Sequence, residues 1–374
     1  MIDLTVVIPT HNRSAKLALT LDRLSASVSG KGWDVLVVAN NCTDDTIELC
    51  EQRAPHFPVR LIVIEEPAPG AAAARNAGAA KAEGGDLLFL DDDILVEPGW
   101  LERVRSHRSV HPTVWLSGQV FALPEHEAST FGAFRKASMP PTPPGDPIIG
   151  VEWFASGMAL VPRQALLDLG GYEEAFTTAA FEDADLAIRA HRAGHVLAFD
   201  PGLTSYHNDW AGSSIRDFCM RARRYCLTAP QLEQRFGSRD HPWVKLIEAN
   251  RPPRWRSDPP LSLARKFMKG VAARDSALGL LLAAAERLER ASAPASVLWP
   301  IYRSAVAASM YAGYREGCRL SGGSLAGTGA AAASSGVARR GALSLPPEPT
   351  TAASTSNTEA DASTAQARRR SRRG

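Results

Sequence analysis

Through the first two hundred residues, short apolar blocks alternate with amphipathic stretches, and polar turns separate them. Leu4-Thr5-Val6-Val7-Ile8 is a β-branched run that Pro9 is expected to stop, so it reads as a buried strand. Asn12 or Ser14 caps the next stretch, where Leu17, Leu21, Leu24 and Val28 recur at helical spacing. Trp33 to Ala39 is a second strand, and Thr43-Asp44-Asp45 opens a helix through Cys50 with acids where the helix dipole favours them. Val59 to Ile64 is a third strand, Gly70 to Ala82 an Ala-rich helix, and Asp86 to Leu90 a fourth strand ending in Asp91-Asp92-Asp93. Farther on, residues 155–159 and 195–199 read as strands, and a helix starts near Asp183, with Asp185 and Arg189 as an i,i+4 ion pair. Strands alternating with helices predict an α/β fold with a doubly wound, mostly parallel, Rossmann-like sheet. In such sheets ligands bind at the carboxyl ends of the strands. Here those ends read PTHNR, NNCTDD, EEPAPG and DDD.

From about residue 211 to 320 the pattern turns helical, with a break at Asp258-Pro259-Pro260 and apolar helices expected over 272–291 and 297–314. These helices are expected to pack as a small bundle or on the preceding domain, with a peripheral membrane contact as the other reading. The Pro-rich stretch 122–150 is longer than most loops and is expected to help form a binding site. From Ser321 onward there is no Phe, Trp, Tyr, Ile, Met or Cys, which predicts a disordered tail. The expected organisation is therefore 1–210, 211–320 and 321–374.

Composition narrows the class. Five Cys in 374 residues, with no CxxC pair, exclude a disulfide scaffold and a zinc ribbon. A formal charge of +2 gives no case for nucleic-acid binding. That near-neutrality is an average: the tail holds seven Arg against Glu348, Glu359 and Asp361, which leaves the first 320 residues slightly acidic. The amino-terminal residues lack a signal-peptide pattern and no apolar run approaches a span, so the expected location is cytoplasmic, with peripheral contact at the inner membrane surface as the other reading.

Three adjacent carboxylates at a strand end repel one another, and a divalent cation bound to phosphate oxygens relieves the repulsion. Hard oxygen ligands suit Mn²⁺ or Mg²⁺. A simple acidic turn is the alternative. A phosphatase of the Asp-x-Asp-x-Thr type lacks its hydroxyl, since Leu95 stands at that place, and the first turn has no dinucleotide-binding glycines. Arg75, in the Ala-rich helix, either reaches a nucleotide or faces solvent. Glu182 and Asp183 at a helix start either cap it or supply a general base. His207 alone reads as an ordinary hydrogen-bonded histidine, as do His11, His191 and His195.

In chain order, V-V-I-P-T-H-N-R, V-V-A-N-N-C-T-D-D-T, G-A-A-A-A-R-N-A-G, L-L-F-L-D-D-D and F-E-D-A-D-L-A-I-R resemble the family 2 glycosyltransferases of GT-A fold, over about residues 1–210. The resemblance implies an inverting, metal-dependent transfer of sugar from a nucleoside-diphosphate donor to a saccharide or lipid-linked hydroxyl acceptor, such as a polysaccharide or glycolipid. It implies that Pro9, Thr10, Asn12 and Arg13 line the nucleotide pocket, with Asn40 and Asp44 near base and ribose. Arg75 and Asp92 belong to the same donor set. It also implies that Asp91 and Asp93 form the D-x-D pair, with Asp93 binding metal directly and His207 completing its shell, and that Asp183 is the base with Glu182 its neighbour on the acceptor side. Ala39 stands where many members carry Asp, which leaves the base identity open. A sugar-nucleotide binding protein without turnover and a nucleotidyltransferase on a related fold are the other two readings.

Overall fold

The computed structural model describes residues 3–27, 31–138, 148–176, 180–208, 214–237 and 242–321. Val28, the Pro-rich core of 122–150, the boundary at Trp210 and the tail from 322 lie outside the described residues.

The chain runs β1 (Leu4–Thr10), α1 (Ser14–Ala26), β2 (Trp33–Asn40), α2 (Thr46–Arg53), β3 (Leu61–Glu66), α3 (Ala71–Lys81), β4 (Asp86–Leu90), β5 (Ile94–Val96) and α4 (Trp100–Val110). It continues through β6 (Trp115–Ala122), α5 (Pro124–Glu127), α6 (Thr130–Ser138), β7 (Ile148–Ile149), β8 (Met158–Pro162), α7 (Arg163–Asp168), α8 (Glu182–Arg192) and β9 (Leu197–His207). Helices follow: α9 (Ile215–Leu227), α10 (Ala229–Phe236), α11 (Val244–Asn250), α12 (Pro260–Ala272), α13 (Asp275–Arg290) and α14 (Ala295–Leu320).

One sheet has the order β3-β2-β1-β4-β8-β6-β9-β5, with β7 on β9. β3, β2, β1 and β4 are mutually parallel, as are β6 and β9, while β8 runs antiparallel to both β4 and β6. The parallel strands are buried on both faces, which is why they read as unbroken apolar runs. One apolar cluster packs α1, α2 and α4 on one face, and a second packs α3, α7 and α8 on the other.

Several boundaries differ from those read off the sequence. Pro9 does not stop β1: it pairs with Val38 on one side, and pairing with β4 ends at Val7, so the missing N–H falls where one ladder is absent. Residues 155–157 form a turn before β8 begins at Met158. β9 does not end at Phe199. Its register on β6 jumps from Gly118↔Asp200 to Gln119↔Thr204, so Pro201-Gly202 is a bulge and the strand resumes. His207 is therefore the last strand residue, paired with Ile94 of β5 and Ala122 of β6. The helix expected over 272–291 is α13, which starts at Asp275, three residues after α12 ends at Ala272, and runs to Arg290. The helix expected over 297–314 is the long α14, which carries Pro300 inside it. α9, α10, α11 and α14 pack on the sheet domain through a cluster joining Phe176, Phe181 and Ile188 to Cys226, Leu232, Ile247 and Tyr314. Among the described residues no helix is long and apolar enough to cross a membrane.

Candidate active site

The carboxyl ends of β1, β2 and β4 open on a cavity of about 690 Å³. The β1 turn contributes Pro9, Thr10, His11 and Arg13, and the β2 end contributes Asn40 and Asn41. The start of α3 adds Gly70, Ala71, Ala74 and Arg75. Asp91, Asp92 and Asp93, with His207 and Arg221, complete the lining.

Small residues shape one wall. Asn40 donates to the carbonyls of Glu66 and Ala68 at 2.9 and 2.7 Å and accepts from Gly70 N–H at 3.0 Å. That side chain holds the 66–70 turn, and Gly70, at φ +120°, starts α3 with methyl-sized residues facing the cavity. Asn12 and Asp44, both expected in the nucleotide pocket, are not among its lining residues. Asn12 sits at φ +52° and accepts from Thr43 N–H at 2.6 Å, tying the β1 turn to the β2 turn. Asp44 accepts from Ser14 N–H at 3.0 Å and Thr46 Oγ1 at 2.5 Å, so it fastens the starts of α1 and α2.

The three aspartates have different partners. Asp92 is buried and accepts from Thr10 Oγ1 at 2.7 Å and Arg13 Nη1 at 2.8 Å. Burial pushes its carboxyl up to about 7 against the pull of both donors. Asp93 takes the other nitrogen of Arg13 at 2.5 Å, and its Oδ1 lies 3.7 Å from His207 Nε2. Burial lowers the His207 pKa, which favours the neutral imidazole a metal requires. Asp91 donates its N–H to Gly157 O at 2.9 Å, and its carboxylate accepts from Arg75 at 3.0 Å. A Cβ at Gly157 would stand 2.8 Å from Asp91 Oδ2, so the turn before β8 must be glycine for this carboxylate to sit there. Of the three residues expected to bind metal, Asp93 and His207 are thus brought together, and Asp91 is engaged by Arg75. Among the described residues no group of three or more His, Cys, Asp or Glu is arranged to hold an ion. Two protein donors suit a cation that takes its other ligands from substrate phosphates.

Arg75 does not face solvent. It is buried, and its two terminal nitrogens bridge Asp91 at 3.0 Å and Glu182 at 2.9 Å, with the Tyr172 ring 5.5 Å from the guanidinium carbon. Those two carboxylates lift the Arg75 pKa above the ordinary guanidinium value even though burial opposes it. Asn76, next in α3, exchanges hydrogen bonds with the Tyr172 backbone at 2.7 and 2.9 Å. α3 therefore clamps the segment leading to α8.

α8 starts in an unusual way. Phe181 is buried at φ +66°, a left-handed conformation that a bulky side chain rarely adopts. Its ring lies on Tyr225 of α9, with 4.6 Å between centroids. Asp185, fully buried, is held by Arg189 at 2.7 Å, as the spacing predicts, and also by Arg235 of α10 at 2.7 Å. Glu182 Oε2 is buried with no hydrogen-bond partner among the described residues. Asp183 accepts from Ala184 N–H at 2.8 Å. Burial, then the Glu182 charge, push its carboxyl up to about 7, against Arg75.

Arg221 and His11 were not assigned to the site from sequence. His11 Nδ1 lies 2.6 Å from Asn40 O. Arg221 arrives from α9, more than a hundred residues beyond the aspartates, so only the fold brings it there.

A mixed sheet whose parallel strands carry an aspartate cluster beside a small-residue helix start, with an acid pair across a buried arginine, is a GT-A fold. Among solved structures, the mannosyltransferase PcManGT of Pyrobaculum calidifontis, in complex with GDP-Man and Mn2+, has this fold. It matches with a TM-score of 0.54 at 18% identity, over 84% of this chain and 87% of that one. Residues 5–132 match the family described as Glycosyl transferase family 2. The pre-mycofactocin glycosyltransferase of Mycobacterium tuberculosis is 29% identical over 258 residues, 65% of this chain and 50% of that protein. The validoxylamine A glucosyltransferase of Streptomyces hygroscopicus subsp. jinggangensis is 24% identical over 260 residues, 61% of each chain. The chain thus matches half to three-fifths of the length of these relatives.

Proposed function

We propose that the protein is an inverting glycosyltransferase that moves a sugar from a nucleoside-diphosphate donor to a hydroxyl acceptor. The observation that carries this reading is the bridge Asp91–Arg75–Glu182, which couples the donor-side aspartates to the acid pair at the start of α8. Residues 1–210 form the catalytic domain, and the helices beyond them complete the pocket through Arg221.

The donor occupies the cavity, with its nucleoside against Pro9, Asn40 and the α3 start. Asp93 and His207 would hold a divalent cation such as Mn²⁺ or Mg²⁺, and such an ion would neutralise charge that develops on the leaving diphosphate. The named relatives are a glycosyltransferase and a glucosyltransferase, and PcManGT is described with GDP-Man and Mn2+, which supports a nucleotide-sugar donor and a metal here.

Asp183 accepts the proton of the acceptor hydroxyl. The oxygen then attacks the anomeric carbon on the face opposite the departing nucleoside diphosphate, so configuration inverts. A carboxyl near pH 7 is well matched to proton transfer at neutral pH, and such a step contributes ~10²–10⁴-fold. Glu182, held by Arg75 through one oxygen, stands beside Asp183, and its charge helps raise the Asp183 pKa.

The test starts with nucleotide sugars screened for thermal stabilisation with Mn²⁺, since a ligand that binds only the folded state raises its melting point. Transfer from the working donor is then measured in wild type, Asp183→Asn and Asp93→Ala. Release of free nucleoside diphosphate with loss of more than ~10²-fold in Asp183→Asn is expected. Near-wild-type turnover in either variant removes that residue's role, and pyrophosphate as product makes the protein a nucleotidyltransferase instead.

A further inference from the structure

α12 is turned inside out. Leu261, Ala264, Phe267, Met268 and Val271 follow an i, i+3, i+4 pattern and lie on one continuous helix face, and all of them are exposed, Phe267 to 63% and Met268 to 70%. The charged side of the helix faces the protein. Lys266 is buried and donates to Asp258 at 2.8 Å, and Lys269 donates to Ala249 O at 2.8 Å. Gly270, also on that side, lies against the Tyr311 ring of α14. An ordinary surface helix does the reverse, burying its apolar stripe and showing its lysines to water. Trp255, in the turn just before α12, is 74% exposed. Arg254, Arg256, Arg265 and Arg274, all exposed, flank the apolar residues along the chain.

We propose that this face docks on a bilayer surface rich in anionic phospholipid. The charges select the partner. A second copy on a two-fold axis would set this arginine rim against itself, which opposes self-association. The chain's own terminal segment carries seven Arg and no aromatic residue, so it matches neither the charge nor the apolar side chains. An anionic membrane offers both complements: headgroup charge for the arginines, and an interface for Phe, Met, Leu and Trp. Aromatic and aliphatic groups at this density, rimmed by basic residues, are the pattern of a helix lying in the interface plane.

The full chain is mixed with vesicles of phosphatidylcholine alone or of phosphatidylcholine with phosphatidylglycerol, then sedimented. Wild type is expected to pellet with the phosphatidylglycerol vesicles and less so as salt rises. Phe267→Ser/Met268→Ser is expected to bind at least about tenfold more weakly with an unchanged melting temperature, because both side chains are already in solvent. Arg265→Glu gives an independent reading if the double variant melts early, and it is expected to weaken binding to anionic vesicles only. Failure to pellet with anionic vesicles at low salt overturns the proposal. So does wild-type binding by both variants, which assigns the lipid contact to the terminal arginines. A concentration-dependent dimer that the double variant abolishes, without lipid binding, assigns the face to a second copy.

Discussion

Arg75 is the residue on which the two halves of the site converge. Its guanidinium is buried between Asp91 and Glu182, and each of those carboxylates would be left without its countercharge by truncation. Breaking a buried ion pair by removing one partner costs about 3–5 kcal/mol, because the desolvated charge remains. Arg75→Ala is therefore expected to lower the melting temperature markedly and abolish sugar transfer. Arg75→Lys keeps the charge but not the fork, and it is expected to retain more stability than activity. A thermal melt beside a transfer assay checks both, and an Arg75→Lys enzyme with full turnover would show that the bridge is not needed. The neighbouring Asp183 sets the pH behaviour. Burial and Glu182 raise its pKa to about 7, so at pH 6 it is mostly protonated and cannot accept a proton. kcat/KM is expected to climb as pH rises through about 7 and to level off above it, whereas Asp183→Asn has no such limb. A profile flat from pH 6 to 8 would rule Asp183 out as the titrating base.

At the scale of elements, α9 brings Arg221 to the cavity, and α9 is positioned by α14. The two helices cross closely at Gly313 and Gly317, where an added Cβ would stand 2.0 Å from Arg223 O and 1.9 Å from Leu227 O. Those contacts are with backbone and cannot be relieved by a rotamer change, so Gly317→Ala must separate the helices. Overpacking of this kind costs typically ~1–3 kcal/mol. The variant is expected to melt earlier and, because α9 moves, to bind the donor more weakly. Donor affinity unchanged beside a lowered melting point would dissociate Arg221 from the site. The parallel strands and the order of the strand-end turns were legible because burial on both faces leaves β1, β2 and β4 largely apolar and sets the polar turns at their carboxyl ends. Asp185–Arg189 was legible because its spacing is local. His207 as a strand residue was not, because Pro201-Gly202 looks like a terminator and only pairing with β6 reveals a bulge. The Arg75 bridge was open from sequence, since its partner Glu182 lies 107 residues away. Arg221 carried no local signal at all.

For the molecule as a whole, the question is whether the family-like first 210 residues stand alone. The described helices beyond them bury the start of α8. Phe176, Phe181 and Ile188 share an apolar cluster with Cys226, Leu232, Ile247 and Tyr314. Thr228 Oγ1 donates to Ala180 O at 2.9 Å, and Arg235 supplies one of the two cations on the fully buried Asp185. A chain cut after Asn208 would expose three large apolar side chains, each stabilised by roughly 1.5–3 kcal/mol through burial, against a typical total stability of ~5–15 kcal/mol. It would also leave Phe181 in a left-handed conformation without the Tyr225 ring against it. That strain, of the order of 1–3 kcal/mol, persists only where the surroundings over-determine it. The 1–208 fragment is therefore expected to lose the cooperative melt of the full chain, while 1–321, which keeps every described helix, melts close to it. Calorimetry on both truncations decides the point. A cooperative transition in the short fragment would mean that α8 organises its acid pair without help. Its absence means that the helices from α9 onward hold Glu182 and Asp183 in place, so that the start of α8 and the helical extension fold as one unit.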